Sequence, residues 1–254
     1  SPAPPSGAAA TSIPAALRGS IRRVELPDGD KSLALTFDLC ERAGSVAGYD
    51  GRVIDVLRSE GVRATLFAGG KWLQTHPERA AQLMSDPLFE LANHSQTHRY
   101  LRLFVAAARI DEFNAPARAY EGVKANLAGR QCIASNPQIL ATVAPRMTLF
   151  RFPFGACDPA SLAAVNDAGL LAIQWDLSTG DPDPRLSPAA IVSSLVARAK
   201  PGSIVIAHAN GRGRHTADAM KKAIPLLRAK GFTFVTVSEL LARGNPVIAQ
   251  RCYV

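Results

Sequence analysis

Three of the five histidines in this sequence, His94, His98 and His208, stand at or just beyond the ends of short apolar runs. His94 and His98 are four residues apart. Two imidazoles so spaced reach one cation where the intervening backbone turns, and neutral imidazole suits zinc and related divalent metals. Asp38 closes the run Leu35-Thr36-Phe37. A carboxylate there is costly unless it has a partner or a task. The task it fits is that of a general base beside a metal-activated water. The plainer reading is a helix cap or an ion pair with Arg151. His208 closes Ile204-Val205-Ile206-Ala207 and suits a general acid that protonates a departing amine. Its plainer reading is a core histidine bonded to backbone. Arg151, after Leu149-Phe150, is suited to orient Asp38 and hold it ionised.

Such groups converge only if the runs that carry them lie side by side. Seven β-rich runs stand out, at 32–38, 63–68, 88–93, 147–152, 170–175, 203–208 and 232–237. Several are continuously apolar, as strands buried on both faces of a parallel sheet are. Helical patterns lie between them, at 51–60, 109–129, 159–168, 188–200 and 217–230, the last with Thr216 as its expected N-cap. Residues 130–145 read as an irregular insertion. Strand followed by helix, repeated about seven times, implies a parallel α/β barrel whose reactive groups gather at the C-terminal ends of the strands.

The chain has 254 residues, 47% of them hydrophobic, enough for one large domain. The Pro- and Ala-rich opening reads as a flexible leader over 1–24, with the domain over 25–254. No apolar run reaches the roughly 18 residues of a membrane span. The net charge of +8 favours anionic partners, but the densest basic stretch, 211–215, is short and Gly-rich, so a nucleic-acid partner is not expected. Four cysteines without a CxxC pair argue against a structural zinc cluster. With the leader, they favour export to the periplasm or beyond, and at least one disulfide.

The ordered set Thr36-Phe37-Asp38, His94-Ser95-Gln96-Thr97-His98, Arg151-Phe152-Pro153-Phe154-Gly155, Trp175 to Asp181 and Ile204-Val205-Ile206-Ala207-His208 resembles the polysaccharide deacetylases with a NodB-type domain, carbohydrate esterase family 4. The resemblance runs from about Ser32 to Leu241. It implies a distorted seven-stranded (β/α) barrel. It matches Asp38 to the catalytic base, His94 and His98 to metal ligands, Arg151 to the arginine paired with the base, and His208 to the catalytic histidine oriented by Asp181. Phe154 stands where the family has Tyr, whose backbone N–H serves the oxyanion, so the change need not cost activity. Pro182 replaces a frequent Trp in the groove wall.

Leu39 is the important departure. Most members carry there a second Asp, the third metal ligand, and Leu cannot ligate. A catalytic zinc wants three protein ligands and an open position. Asp50 is the expected replacement and Glu41 the second choice; the plainer reading of Asp50 is a helix N-cap. The expectation is a monomeric zinc enzyme, with cobalt as an alternative metal, that removes acetyl groups from an acetylated glycan such as peptidoglycan, chitin oligomers or xylan. A hydrolase of small amides or imides and a degenerate glycan-binding barrel are the competing readings.

Overall fold

The computed structural model of the chain describes residues 12–254. Residues 1–11 of the leader expected over 1–24 therefore lie outside the described residues. Ten strands form one sheet: β1 (Ser20–Glu25), β2 (Ser32–Leu39), β3 (Ala64–Ala68), β4 (Phe89–Asn93), β5 (Leu149–Phe150), β6 (Leu171–Ile173), β7 (Leu177–Ser178), β8 (Ile204–His208), β9 (Thr233–Phe234) and β10 (Asn245–Ala249). Their order is β10-β1-β6-β5-β4-β3-β2-β8-β7, with β9 beside the start of β2. All pairings are parallel except β1 with β10. The sheet curls until β1 meets the foot of β8, where Arg23 bridges Ser203 and Val24 N–H donates to Gly202 O at 2.9 Å. The result is a mixed α/β fold whose sheet is curled into a half-barrel.

Alternation along β2 separates two cores. All eight of its residues are buried, because helices cover one face and the curl encloses the other. Leu33, Leu35, Phe37 and Leu39 face outward onto helix Gly51–Ser59, which buries Val53, Ile54 and Leu57, and onto helix Thr216–Ala229. Ala34 faces inward, with Phe67, Ala92, Ile173 and Ile204. Thr36 and Asp38 continue that inner face toward the mouth.

Each of the seven expected runs contains a strand, but β1, β7 and β10 were not anticipated. Ser20–Glu25 belongs to the sheet and not to a leader. It reads Ser-Ile-Arg-Arg-Val-Glu, whose charges mask Ile21 and Val24, both fully buried. Helices Gly70–Thr75, Pro77–Met84 and Val237–Leu241 were also missed, and the stretch read as irregular holds two short helices, Gln131–Ala134 and Gln138–Thr142. Thr216 is the first residue of its helix, and His215 holds the cap position.

Candidate active site

The parallel register sets Asp38 opposite His208 on neighbouring strands. Residues so paired project to the same face. Arg151 follows β5 and is fully buried. Its Nη1 donates to Asp38 Oδ1 at 2.9 Å and to Thr36 Oγ1 at 2.8 Å. Its Nε and Nη2 donate to the carbonyls of Ile173 and Gln174. The guanidinium lies 3.9 Å from the centre of the Phe67 ring. Burial opposes ionisation of Asp38, but the charges of His94 and Arg151 outweigh it and hold the carboxyl well below the usual carboxylate range.

His94 and His98 come from the loop after β4, and their rings meet edge to face with centroids 4.9 Å apart. His94 Nδ1 donates to Arg151 O at 2.9 Å, which turns Nε2 into the mouth. That Nε2 approaches Asp38 Oδ2 to 3.2 Å, but the angle is too poor for a hydrogen bond. His98 Nδ1 is likewise buried without a partner. Burial lowers the His94 pKa while Asp38 more than reverses this, pushing it up to about 10. Burial and the charge of His94 bring His98 down to about 3. His94 must therefore surrender a proton before it can ligate a cation.

Asp181 is almost fully buried and accepts four hydrogen bonds. Oδ1 takes one from His208 Nδ1 and one from Thr179 Oγ1, both at 2.9 Å. Oδ2 takes one from His208 N at 2.8 Å and one from Thr216 Oγ1 at 2.6 Å. Burial opposes protonation of His208, but the hydrogen bond and charge of Asp181 win and raise its pKa. The bond at Nδ1 leaves Nε2 as the atom available to a substrate. Gly213 makes this approach feasible, since a Cβ there would lie 2.3 Å from Asp181 Oδ2.

Asp38, His98, Phe154, Trp175, Pro182 and His208 are among the residues lining one pocket of about 340 Å³. A second cavity of about 480 Å³ shares Arg42, His98 and Phe154 with it and runs on past Arg99 and Tyr100 to Leu103. Phe154 stacks on Tyr100 with centroids 4.4 Å apart. Ser95, His98 and Phe154 are the only non-glycine residues with positive φ among the described residues. Backbone strain is thus concentrated at this mouth.

A model of the family described as polysaccharide deacetylase matches residues 25–173. A peptidoglycan-N-acetylglucosamine deacetylase of Bacillus cereus is 30% identical over 220 residues, 85% of this chain and 91% of its own length. The chain belongs to the polysaccharide deacetylase family. A chitooligosaccharide deacetylase of Bradyrhizobium is also 30% identical, over 226 residues that cover 84% of this chain and 91% of that protein. Among solved structures, the Bc1960 peptidoglycan N-acetylglucosamine deacetylase superposes with a TM-score of 0.71 at 21% identity, covering 89% of this chain and 94% of its own. The wild-type BA3943 structure, a CE4 family pseudoenzyme from Bacillus anthracis, superposes with a TM-score of 0.68 at 22% identity, covering 88% of this chain and 69% of that one. At such identities the superpositions speak for the fold, a NodB-type half-barrel.

The two carboxylates expected beside His94 and His98, Asp50 and Glu41, are both engaged elsewhere. Asp50 caps helix Gly51–Ser59 and accepts from Arg52 N, Nε and Nη2, so its carboxylate is already committed. Glu41 is buried under the loop, accepting from Ala47 N at 3.1 Å and Thr75 Oγ1 at 2.8 Å, with Lys71 Nζ 3.1 Å away. Leu39 faces the outer core. The side chain that reaches the histidine pair is Cys40: its sulfur and one ring nitrogen from each of His94 and His98 lie within 4.8 Å of one another. Cys40 is a free thiol and takes no part in a disulfide. A disulfide joins Cys157 to Cys252 instead. It secures the segment whose Tyr253 ring lies 5.0 Å from that of Trp175 and whose Tyr253 N–H bonds Gly155 O.

Two further residues hold the site and were not anticipated. Glu112, inside helix Ala106–Ala128, accepts from Thr97 Oγ1, Thr97 N and Gln96 N, pinning the loop that carries both histidines. Asn93 accepts from Ser95 N and donates to Phe113 O. Neither could be read from the motif, because each acts through tertiary contact. Cys40 could have been found from strand alternation, which returns position 40 to the inner face of Asp38.

Proposed function

We propose that the protein is a metal-dependent deacetylase of N-acetylated glycans. The observation that carries this reading is the pairing of Asp38 with His208 across β2 and β8, one carboxyl held ionised by Arg151 and one imidazole whose pKa the hydrogen bond and charge of Asp181 raise. Two buried imidazole nitrogens that make no hydrogen bond, one of them beside Asp38 at 3.2 Å, fit a divalent cation, since such groups are costly when left unsatisfied. His94 and His98 would hold it. A zinc or cobalt ion bound there supplies a Lewis acid for the acetyl carbonyl and promotes ionisation of water near neutral pH.

The chain's own residues do the rest. Asp38, fixed through Oδ1 by Arg151, takes the proton of the attacking water. The backbone N–H of Phe154 is assigned to the developing oxyanion. His208, fixed through Nδ1 by Asp181, delivers a proton from Nε2 to the departing sugar nitrogen. Water thus contributes hydroxyl to the acetate, and the amine leaves protonated. Arg42, Arg99 and Arg212 line the joined cavities without a carboxylate partner among the described residues. They favour a glycan that carries acidic groups, such as peptidoglycan, over a neutral one. A lower KM for carboxylated than for neutral N-acetylated oligosaccharides, narrowing with added salt, tests that preference. The disulfide suits an exported protein.

The test of the activity itself is acetate release from N-acetylglucosamine oligomers by protein stripped with chelator and then reloaded. Release should vanish on stripping and return with zinc or cobalt. Release unaffected by complete stripping, or none from loaded protein, would overturn the reading. The outward-facing Leu39 favours a second reading, a barrel that binds glycan without cleaving it. Glycan binding by metal-loaded protein with no acetate released would select that one.

A further inference from the structure

We infer that Cys40 is the third protein ligand of the metal site, as a thiolate. The inference rests on the metal-dependent reading above and specifies the donor set. Three observations converge on it. First, β2 ends with Asp38 inward and Leu39 outward, so Cys40 returns to the inner face. Secondly, Cys40, His94 and His98 are only 3%, 1% and 7% exposed, with their donor atoms within 4.8 Å of one another. Among the described residues no other set of three such side chains comes together in this way. Thirdly, His98 Nδ1 is buried with no hydrogen-bond partner, and His94 Nε2 has only its poorly angled 3.2 Å approach to Asp38 Oδ2, so both ring nitrogens are aimed at a guest.

The sulfur is also held ready. Asn210 Nδ2 donates to Cys40 O at 2.8 Å and lies 3.1 Å from Sγ, fixing the side chain's position. Two imidazoles and one thiolate form a donor set that selects zinc or cobalt over magnesium or calcium. One thiolate carries the same charge as the carboxylate that Leu39 has displaced. Binding releases the thiol proton to solvent and forms a metal–sulfur bond.

The test is a titration of metal-free protein with Co²⁺, followed by absorption, in a Cys132→Ser background with the disulfide left intact, so that Cys40 is the only thiol. The expected result is one equivalent bound, with a thiolate-to-cobalt charge-transfer band in the near ultraviolet beside weaker visible bands. Cys40→Ser should keep the visible bands, lose the near-ultraviolet band and bind at least about tenfold more weakly. Cys40→Asp should recover affinity without the band, which separates lost ligation from lost folding. Stoichiometric cobalt binding without the band, or equal affinity in Cys40→Ser, would overturn the assignment of Cys40 and leave metal-dependent hydrolysis standing. Failure of the parent protein to bind cobalt at all would overturn both.

Discussion

Asp181→Asn isolates the role of the charge behind His208. The substitution preserves volume but replaces a carboxylate that accepts four hydrogen bonds with an amide that must present donors to some of the same partners. Hydrogen bonds to charged groups contribute about 1.5–3 kcal/mol each. Loss of that support for a protonated His208 lowers kcat by about tenfold to about 150-fold, at roughly 1.4 kcal/mol per factor of ten. The pH dependence has a definite sign. Asp181 raises the His208 pKa in the folded protein, so its contribution to stability is full below the unfolded pKa and fades as pH rises through the folded one. The acid form of His208 should likewise persist to higher pH in the parent than in the variant. Acetate release by metal-loaded protein across a pH series should therefore show the alkaline limb of kcat moved to lower pH in Asp181→Asn. Thermal melts should show a larger deficit at mildly acidic than at alkaline pH. An unmoved limb with kcat equal to that of the parent would refute the pairing as the source of the acid.

Arg151→Ala leaves the buried carboxylate of Asp38 without its guanidinium, which costs about 3–5 kcal/mol; calorimetry should show Tm lower by roughly 6–20 °C. Asp50→Ala removes a helix cap and should cost about 1 kcal/mol in denaturant melts, with cobalt affinity unchanged because the carboxylate is committed to Arg52 and the helix end. Replacing Cys157 and Cys252 together by Ser opens a link across 95 residues. It should cost about 2–5 kcal/mol, read by the same melts.

The gathering of the candidate side chains was more legible in the sequence than the contacts that hold them. Asp38, His94, His98, Arg151 and His208 stand at strand ends, and the parallel order alone gathers strand ends at one mouth. β1 stayed hidden because its two arginines and its glutamate interrupt the apolar pattern, although Ile21 and Val24 fill the half-barrel. β7 has two residues and no periodicity of its own; its place is set by pairing with β8. The third donor was sought among carboxylates in the following loop, where local bonding takes both: Arg52 and the helix end hold Asp50, and Thr75 and Ala47 hold Glu41. Alternation along β2 was the signal that pointed to Cys40. Glu112 had no signal, because its pinning of the histidine loop depends on a helix that follows the loop in sequence and packs back against it.

The central claim is that Asp38 takes the proton in a hydrolysis that the metal site alone does not complete. Its most direct measurement is acetate release by Asp38→Asn from an N-acetylated oligosaccharide, normalised to folded protein by circular dichroism and to bound metal by elemental analysis. The account predicts full metal occupancy with turnover reduced by at least about 100-fold. Turnover matching the parent at equal occupancy would contradict it.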